Sequence, residues 1–171
     1  MTEFNVSNYR INRIISHHDF LDKESKARNT IKKKHTKLLN VCLGIEFFLI
    51  ISELGMVGSS VALHAIIPFS VPISIGLTSC SIILRSSSRL TAQKINKHLE
   101  IESLARAKFN SIEEKFTKAI QDDKITDEEF NDIEQEIKNF ENMKSNILSK
   151  YNSGRTEVWD SLKRNLQKLK K

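Results

Sequence analysis

The chain has 171 residues, with 27 Lys/Arg against 21 Asp/Glu for a net charge of +6, and only five glycines, two prolines and two cysteines. Two thiols exclude the framework of a disulfide-rich secreted domain, and five glycines leave little room for a phosphate loop, dinucleotide turn or nucleophile elbow, none of which is present. The basic excess is segregated rather than spread along one face as in a nucleic-acid binder, so nucleic acid is not an expected partner.

Residues 1–37 hold nine basic and four acidic side chains. The first nine are expected to fray. From Arg10 onward Ile11, Ile14, Ile15, Phe20, Leu21 and Ile31 stand irregularly in a charged background, and Ser16 or Asp19 can cap a helix running to Lys37. No short apolar stretch is followed by a small-residue cleavage site, so no signal peptide is expected. The cluster Lys32, Lys33, Lys34, His35, Lys37 then abuts Leu38.

Residues 38–84 contain no Lys, Arg or Asp; their only charges are Glu46 and Glu53. This is about twice the ~20 residues that one helix needs to cross a bilayer. Two apolar limbs folded back on each other are therefore expected, one from about Leu38 to Leu63, the other from about Val71 to Leu84, with a turn near His64 to Phe69. The second limb is short for a full crossing unless it begins before Pro68. Gly55 and Ser59, and likewise Gly58 and Ala62, have the four-residue spacing of small residues that lets two helices approach closely. Ser74 and Thr78 belong to a small polar face on the other limb, a natural partner for that stripe. Arg85 and Arg89 end it, within a segment of four basic and no acidic residues at 85–97. Basic clusters on both sides of an apolar block follow the positive-inside rule and attract anionic lipid. A bilayer, anionic at the basic flanks, is the expected partner, with both termini cytoplasmic.

After Leu90 the pattern becomes amphipathic. Ala105, Phe109, Ile112, Phe116 and Ala119 advance by alternating steps of four and three, a heptad-like seam. Thr126 followed by Glu129 is a capping box, and Ile125 can staple onto Phe130. Phe130, Ile133, Ile137 and Phe140 share a face of the next helix, which a short loop forces antiparallel to the first. Gly154 fits a helix stop, and residues 152–171 form a basic amphipathic tail. The organisation expected is thus 1–37, charged helical segment; 38–84, apolar hairpin; 85–151, coiled-coil-like helical hairpin; 152–171, tail.

Glu46 and Glu53 are seven apart and share one helix face. A charge at mid-bilayer costs on the order of 3 kcal/mol, so both should meet a partner helix or a wet cavity. Either they line a proton-sensitive path in an oligomer, or they pack as a neutralised pair against Ser74, Thr78 or a basic group. Cys42 and Cys80, near the bases of their limbs and at similar depth, are acylation candidates or small buried hydrophobes. A calcium loop over 118–129 fails, because Lys118, Ile120 and Asp123 occupy positions that need carboxylates or glycine. The five histidines show no metal spacing, and Asn5-Val6-Ser7 is a formal sequon that cytoplasmic placement would leave unmodified. No cofactor and no small-molecule substrate are identified.

Lys97-His98, the run Leu104-Ala105-Arg106-Ala107-Lys108-Phe109-Asn110-Ser111-Ile112, then Lys118-Ala119-Ile120-Gln121-Asp122, Ile125 through Phe130, and Met143-Lys144 resemble an uncharacterised family dispersed in invertebrate genomes in many copies, suggestive of mobile or virus-like elements. The resemblance implies a charged N-terminal helix, a small-residue-rich apolar hairpin and this helical pair, with no assigned activity. The layout also looks like the SLATT class of two-helix membrane effectors, which implies membrane perforation.

The fold expected is all-α, an apolar helical hairpin flanked by an N-terminal amphipathic helix and a C-terminal antiparallel helical pair. The function expected is a non-enzymatic membrane-hairpin protein, homo-oligomeric, whose helical pair mediates self-association or partner binding. Two alternatives stand beside it: an oligomeric membrane-perforating effector, and a soluble helical-bundle interaction module with 38–84 as its buried core.

Overall fold

The computed structural model describes residues 3–60, 67–121 and 125–168, with side chains over 7–52, 76–120 and 125–153 and at a few positions beyond. The described residues form three α-helices and no strand: α1, Glu3–Ser60; α2, Ile67–Gln121; α3, Asp127–Lys168.

Helix α1 runs unbroken for 58 residues. It holds no proline and no glycine before Gly44, so nothing interrupts the backbone where the charged segment meets Leu38. The expected cap at Ser16 or Asp19 is not used, because the helix is already established at Glu3.

Helix α2 opens at Ile67, earlier than the Val71 start expected from the sequence. Pro68 falls in the first turn, where its missing N–H has no helical acceptor to lose and its fixed φ suits the helix. Pro72 lies deeper and forgoes one backbone bond. The apolar run from Ile67 to Leu84 is then about 18 residues, roughly 27 Å at 1.5 Å per residue, close to the ~30 Å hydrocarbon core of a bilayer.

Helix α3 starts on a reciprocal capping box. The Glu129 N–H donates to Thr126 Oγ1 at 3.2 Å and the Thr126 N–H donates to Glu129 Oε2 at 2.9 Å. Gly154 does not end this helix, which continues to Lys168. A glycine inside a helix costs only about 1 kcal/mol relative to alanine, and no proline follows to enforce a stop.

The chain divides into two units, Met1–Lys32 with Asn96–Lys150, and Lys33–Ile95 with Tyr151–Lys171. The first is a three-helix bundle. Residues rising along α1 meet residues falling along α2: His18 stacks on Phe109, and Ser25 accepts from Arg106. They meet residues rising along α3, as Arg10 with Asp127, Arg13 with Glu134 and Phe20 with Phe140 show. Helix α2 is therefore antiparallel to both its neighbours. Ile14, Leu21, Ala105, Ile112, Ala119, Ile125, Ile133, Ile137 and Phe140 form the buried core. Heptad steps along α2 bring Ile101, Ala105, Ile112 and Ala119 to this one face.

The second unit pairs α1 with α2 through Glu46 and Arg85. Glu46 lies 14 positions before Ser60 and Arg85 lies 18 positions after Ile67. The two helices have walked back comparable distances from their connection, so they run antiparallel here too.

Candidate functional site

Within the second unit, the half-buried side of α1 that presents Glu46 to Arg85 can be read position by position. His35, Leu39, Cys42, Glu46 and Leu49 are half-buried, in heptad steps of four and three. Large apolar side chains occupy the remaining surface: Leu38, Val41, Leu43, Ile45 and Ile51 are exposed, and Phe47 and Phe48 are 67% and 69% exposed. At roughly 100° per residue these seven cover an arc of about 220°. A soluble amphipathic helix carries one apolar stripe toward its core. Here the arrangement is inverted, with a cysteine and a glutamate on the inner seam and phenylalanines outside.

The facing segment of α2 follows the same logic. Ser81, Ser88 and Thr91 are buried, while Ile83 is 49% exposed. The Ser81 and Ser88 hydroxyls have no hydrogen-bond partner among the described residues; what these side chains provide is small volume between two close helices. Gly44 and Gly76 are not close-approach glycines, since a Cβ at either would meet open space. Among the described residues one helical stretch, Ser7–Ser52, contains a segment long and apolar enough to cross a membrane, and none of that segment is buried.

Glu46 is the one acidic group on this seam whose surroundings are described. Its side chain is 17% exposed, and Arg85 Nε donates to its Oε1 at 2.8 Å. Sequence reasoning marked Arg85 only as a limb end. Its role as counter-ion was hidden because it depends on register. That register also corrects the placement of the cysteines: counting back along each helix from Glu46 and Arg85, Cys42 sits beside position 89 and Cys80 beside position 51. They are about nine residues, or roughly 14 Å, apart in depth. Both thiols are free, Cys80 exposed and Cys42 half-buried.

Of the other expected packing residues, Thr78 is exposed. The side chains of Glu53, Gly55, Gly58, Ser59 and Ser74, and all of Ala62, lie outside the described residues. In the bundle, Ile112, Ile133, Ile137 and Phe140 are buried in the core, with Phe109, Phe116 and Phe130 packed partly buried against it.

The bundle surface is held by clustered charges. Burial pushes the Glu24 carboxyl up, but hydrogen bonds from Lys144 and Arg28 outweigh it and hold the group below the usual carboxylate range. Glu134 is balanced the same way, desolvation being overcome by His17 at 2.7 Å and Arg13 at 2.9 Å. Glu136 is lowered first by its hydrogen bond from Lys108, against desolvation, with Lys115 adding at 3.0 Å. Glu102, 5% exposed, is bracketed by Lys32 at 2.5 Å and Arg106 at 2.9 Å. Among the described residues no three His, Cys, Asp or Glu side chains come together as a metal site. An apolar groove of about 360 Å³ between α1 and α2 is lined by Ile14, Ile15, His18, Ile112, Phe116 and Ile120, among others.

Comparison with known proteins finds relatives in two viruses of invertebrates. The chain is 42% identical over 149 residues to the uncharacterized protein 259R of Invertebrate iridescent virus 6, covering 87% of this chain and 50% of that protein. It is 29% identical over 140 residues to the uncharacterized protein 071L of Invertebrate iridescent virus 3, covering 80% of this chain and 62% of that protein. The chain thus spans about half to three-fifths of the length of these relatives. These uncharacterised relatives are viral, which is consistent with the virus-like resemblance of residues 97–151; neither bears on the membrane-effector resemblance. No family model matches the chain, and no solved structure matches it.

Proposed function

We propose that this chain is a non-enzymatic membrane-hairpin protein, encoded by a viral or virus-derived gene, whose three-helix bundle serves as a self-association or partner-binding head. The observation that carries the reading is the inverted surface of α1, where seven large apolar side chains face outward over most of the circumference. A stripe would suit a partner helix; a belt suits lipid, which contacts a helix from every open side. It also weighs against a soluble module with 38–84 as its core, since seven of the ten large apolar side chains of 38–51, both phenylalanines among them, are exposed. Exposed apolar groups of this size are worth on the order of 1 kcal/mol each when removed from water, so roughly 7–10 kcal/mol favours covering the belt.

The hairpin is proposed to cross with both termini on the basic, cytoplasmic side, and to associate as a homo-oligomer. The Glu46–Arg85 pair supports an anchor rather than a wet path, because the carboxylate is already neutralised within the chain. Carbonate extraction of membranes from cells making the full chain tests the reading. Retention in the pellet is expected; release as a soluble monomer would reject it.

A further inference from the structure

The Glu46–Arg85 register orders the basic residues by height above the belt. Lys37 stands nine positions before Glu46 and Lys94 nine positions after Arg85, so they lie at one level, about 13 Å above the pair. Lys33 and Lys34 lie one turn higher on α1. Each of these four lysines is exposed, and none has a carboxylate partner among the described residues. Arg89, also exposed, stands four positions after Arg85, about 6 Å above the pair. From there a long side chain can bend its head back to the lysine level. Arg85, twice as far below the lysines, is where a carboxylate is supplied instead.

We propose that Lys33, Lys34, Lys37 and Lys94 form a collar that binds the phosphate groups of an anionic phospholipid leaflet, with Arg89 reaching up to it and the Glu46–Arg85 pair set beneath. This rests on the membrane reading above and adds the chemistry of the leaflet. One feature favours lipid over a nucleic acid: the collar borders the apolar belt directly, Leu38 following Lys37, so headgroups and acyl chains are met by adjacent residues. A lysine near an anionic surface is worth about fivefold in association, and the effect fades within a Debye length as salt is raised.

The test is flotation of the full chain, synthesised beside preformed vesicles of phosphatidylcholine alone or with about 30% phosphatidylserine. At low salt, association with the anionic vesicles should exceed the neutral ones by at least about tenfold, and should shrink with salt. The combined variant Lys33→Gln, Lys34→Gln, Lys37→Gln, Lys94→Gln should lose most of that preference, and an undiminished preference in it overturns the collar. Equal flotation of the unmodified chain with both compositions overturns the collar and leaves the hairpin standing. No flotation with either composition overturns the hairpin itself. Displacement from anionic vesicles by duplex DNA or single-stranded RNA at matched phosphate concentration also overturns the collar, in favour of a nucleic-acid site.

Discussion

Arg85 Nε lies 2.8 Å from Glu46 Oε1, across 39 positions of sequence. This contact fixes the alignment of α1 against α2 in the second unit. It turns two charges that would each oppose burial into a neutral pair. In hydrocarbon an unpaired carboxylate costs on the order of 3 kcal/mol, so the pairing removes a sizeable part of the opposition to insertion.

The register is testable by cross-linking. In a chain with Cys42→Ser and Cys80→Ser, the pair Glu46→Cys with Arg85→Cys should form an intrachain disulfide under mild oxidation. The native Cys42 and Cys80, about nine residues apart in depth, should not, because a disulfide needs Cα atoms within about 7 Å. A native intrachain bond with no bond at the engineered positions would mean a different register. Mass spectrometry of non-reduced digests reads the outcome.

Coupling between the same two residues gives a second expectation. Glu46→Gln leaves Arg85 without its partner, and Arg85→Gln leaves Glu46 without its own. The double variant should therefore be less destabilised than the two single effects added together. Thermal unfolding of the full chain in a mild detergent measures this, and simple additivity would show the contact to be energetically idle.

Core and belt should respond oppositely to the same truncation. Phe140 is fully buried among Ile133, Ile137 and Leu21, and Phe140→Ala should destabilise the chain by about 3–5 kcal/mol. Phe47→Ala or Phe48→Ala removes a side chain that meets no protein core, so bundle stability should change by less than about 0.5 kcal/mol while membrane association weakens. Unfolding followed by circular dichroism, together with flotation, separates the two effects.

Acid should loosen the bundle. Glu24, Glu134 and Glu136 titrate below their ordinary value of 4.5 in the folded chain. Each contributes stability that is fully present above that value and is lost as pH falls through its lower folded value. The unfolding temperature should be insensitive to these groups at neutral pH and should fall once the medium is more acidic than about pH 4.5. Glu136→Gln should be less stable than the unmodified chain at pH 7, with a smaller drop on acidification. An equal acid response in the two chains would place the titration elsewhere.

The start of α3 offers a local check. Thr126 accepts from the Glu129 N–H, and Thr126→Ala should cost about 1 kcal/mol, with Thr126→Ser nearly neutral. Hydrogen exchange at the first turn of α3 should accelerate in the alanine variant alone.

How far the sequence foretold this molecule varies by element. The capping box at Thr126 and Glu129 is legible because it rests on a local side-chain pattern. The heptad spacing of Ala105, Ile112 and Ala119 is legible because α2 keeps small or apolar residues at consecutive seam positions. The packing of α1 into the same bundle is not, because buried His17 and Ser25 stand between Ile14 and Leu21 and beyond it, and blank the periodicity. The continuity of α1 through Leu38 and of α3 through Gly154 is equally hidden: composition changes at both points, while the backbone meets no residue that must break it. The stagger that sets Arg85 beside Glu46 depends on where α2 begins, and Pro68 and Pro72 each permit a start.

The reading turns on whether the belt of Leu38 to Ile51 is met by lipid. Photo-labelling decides this most directly: a lipid-borne carbene reagent in membranes containing the full chain, with labelled residues mapped by mass spectrometry. Labelling is expected at Phe47, Phe48 and Ile51, with Ile14, Ile133 and Phe140 unlabelled. Absence of label from the belt, in a chain recovered as a soluble monomer, would contradict the account.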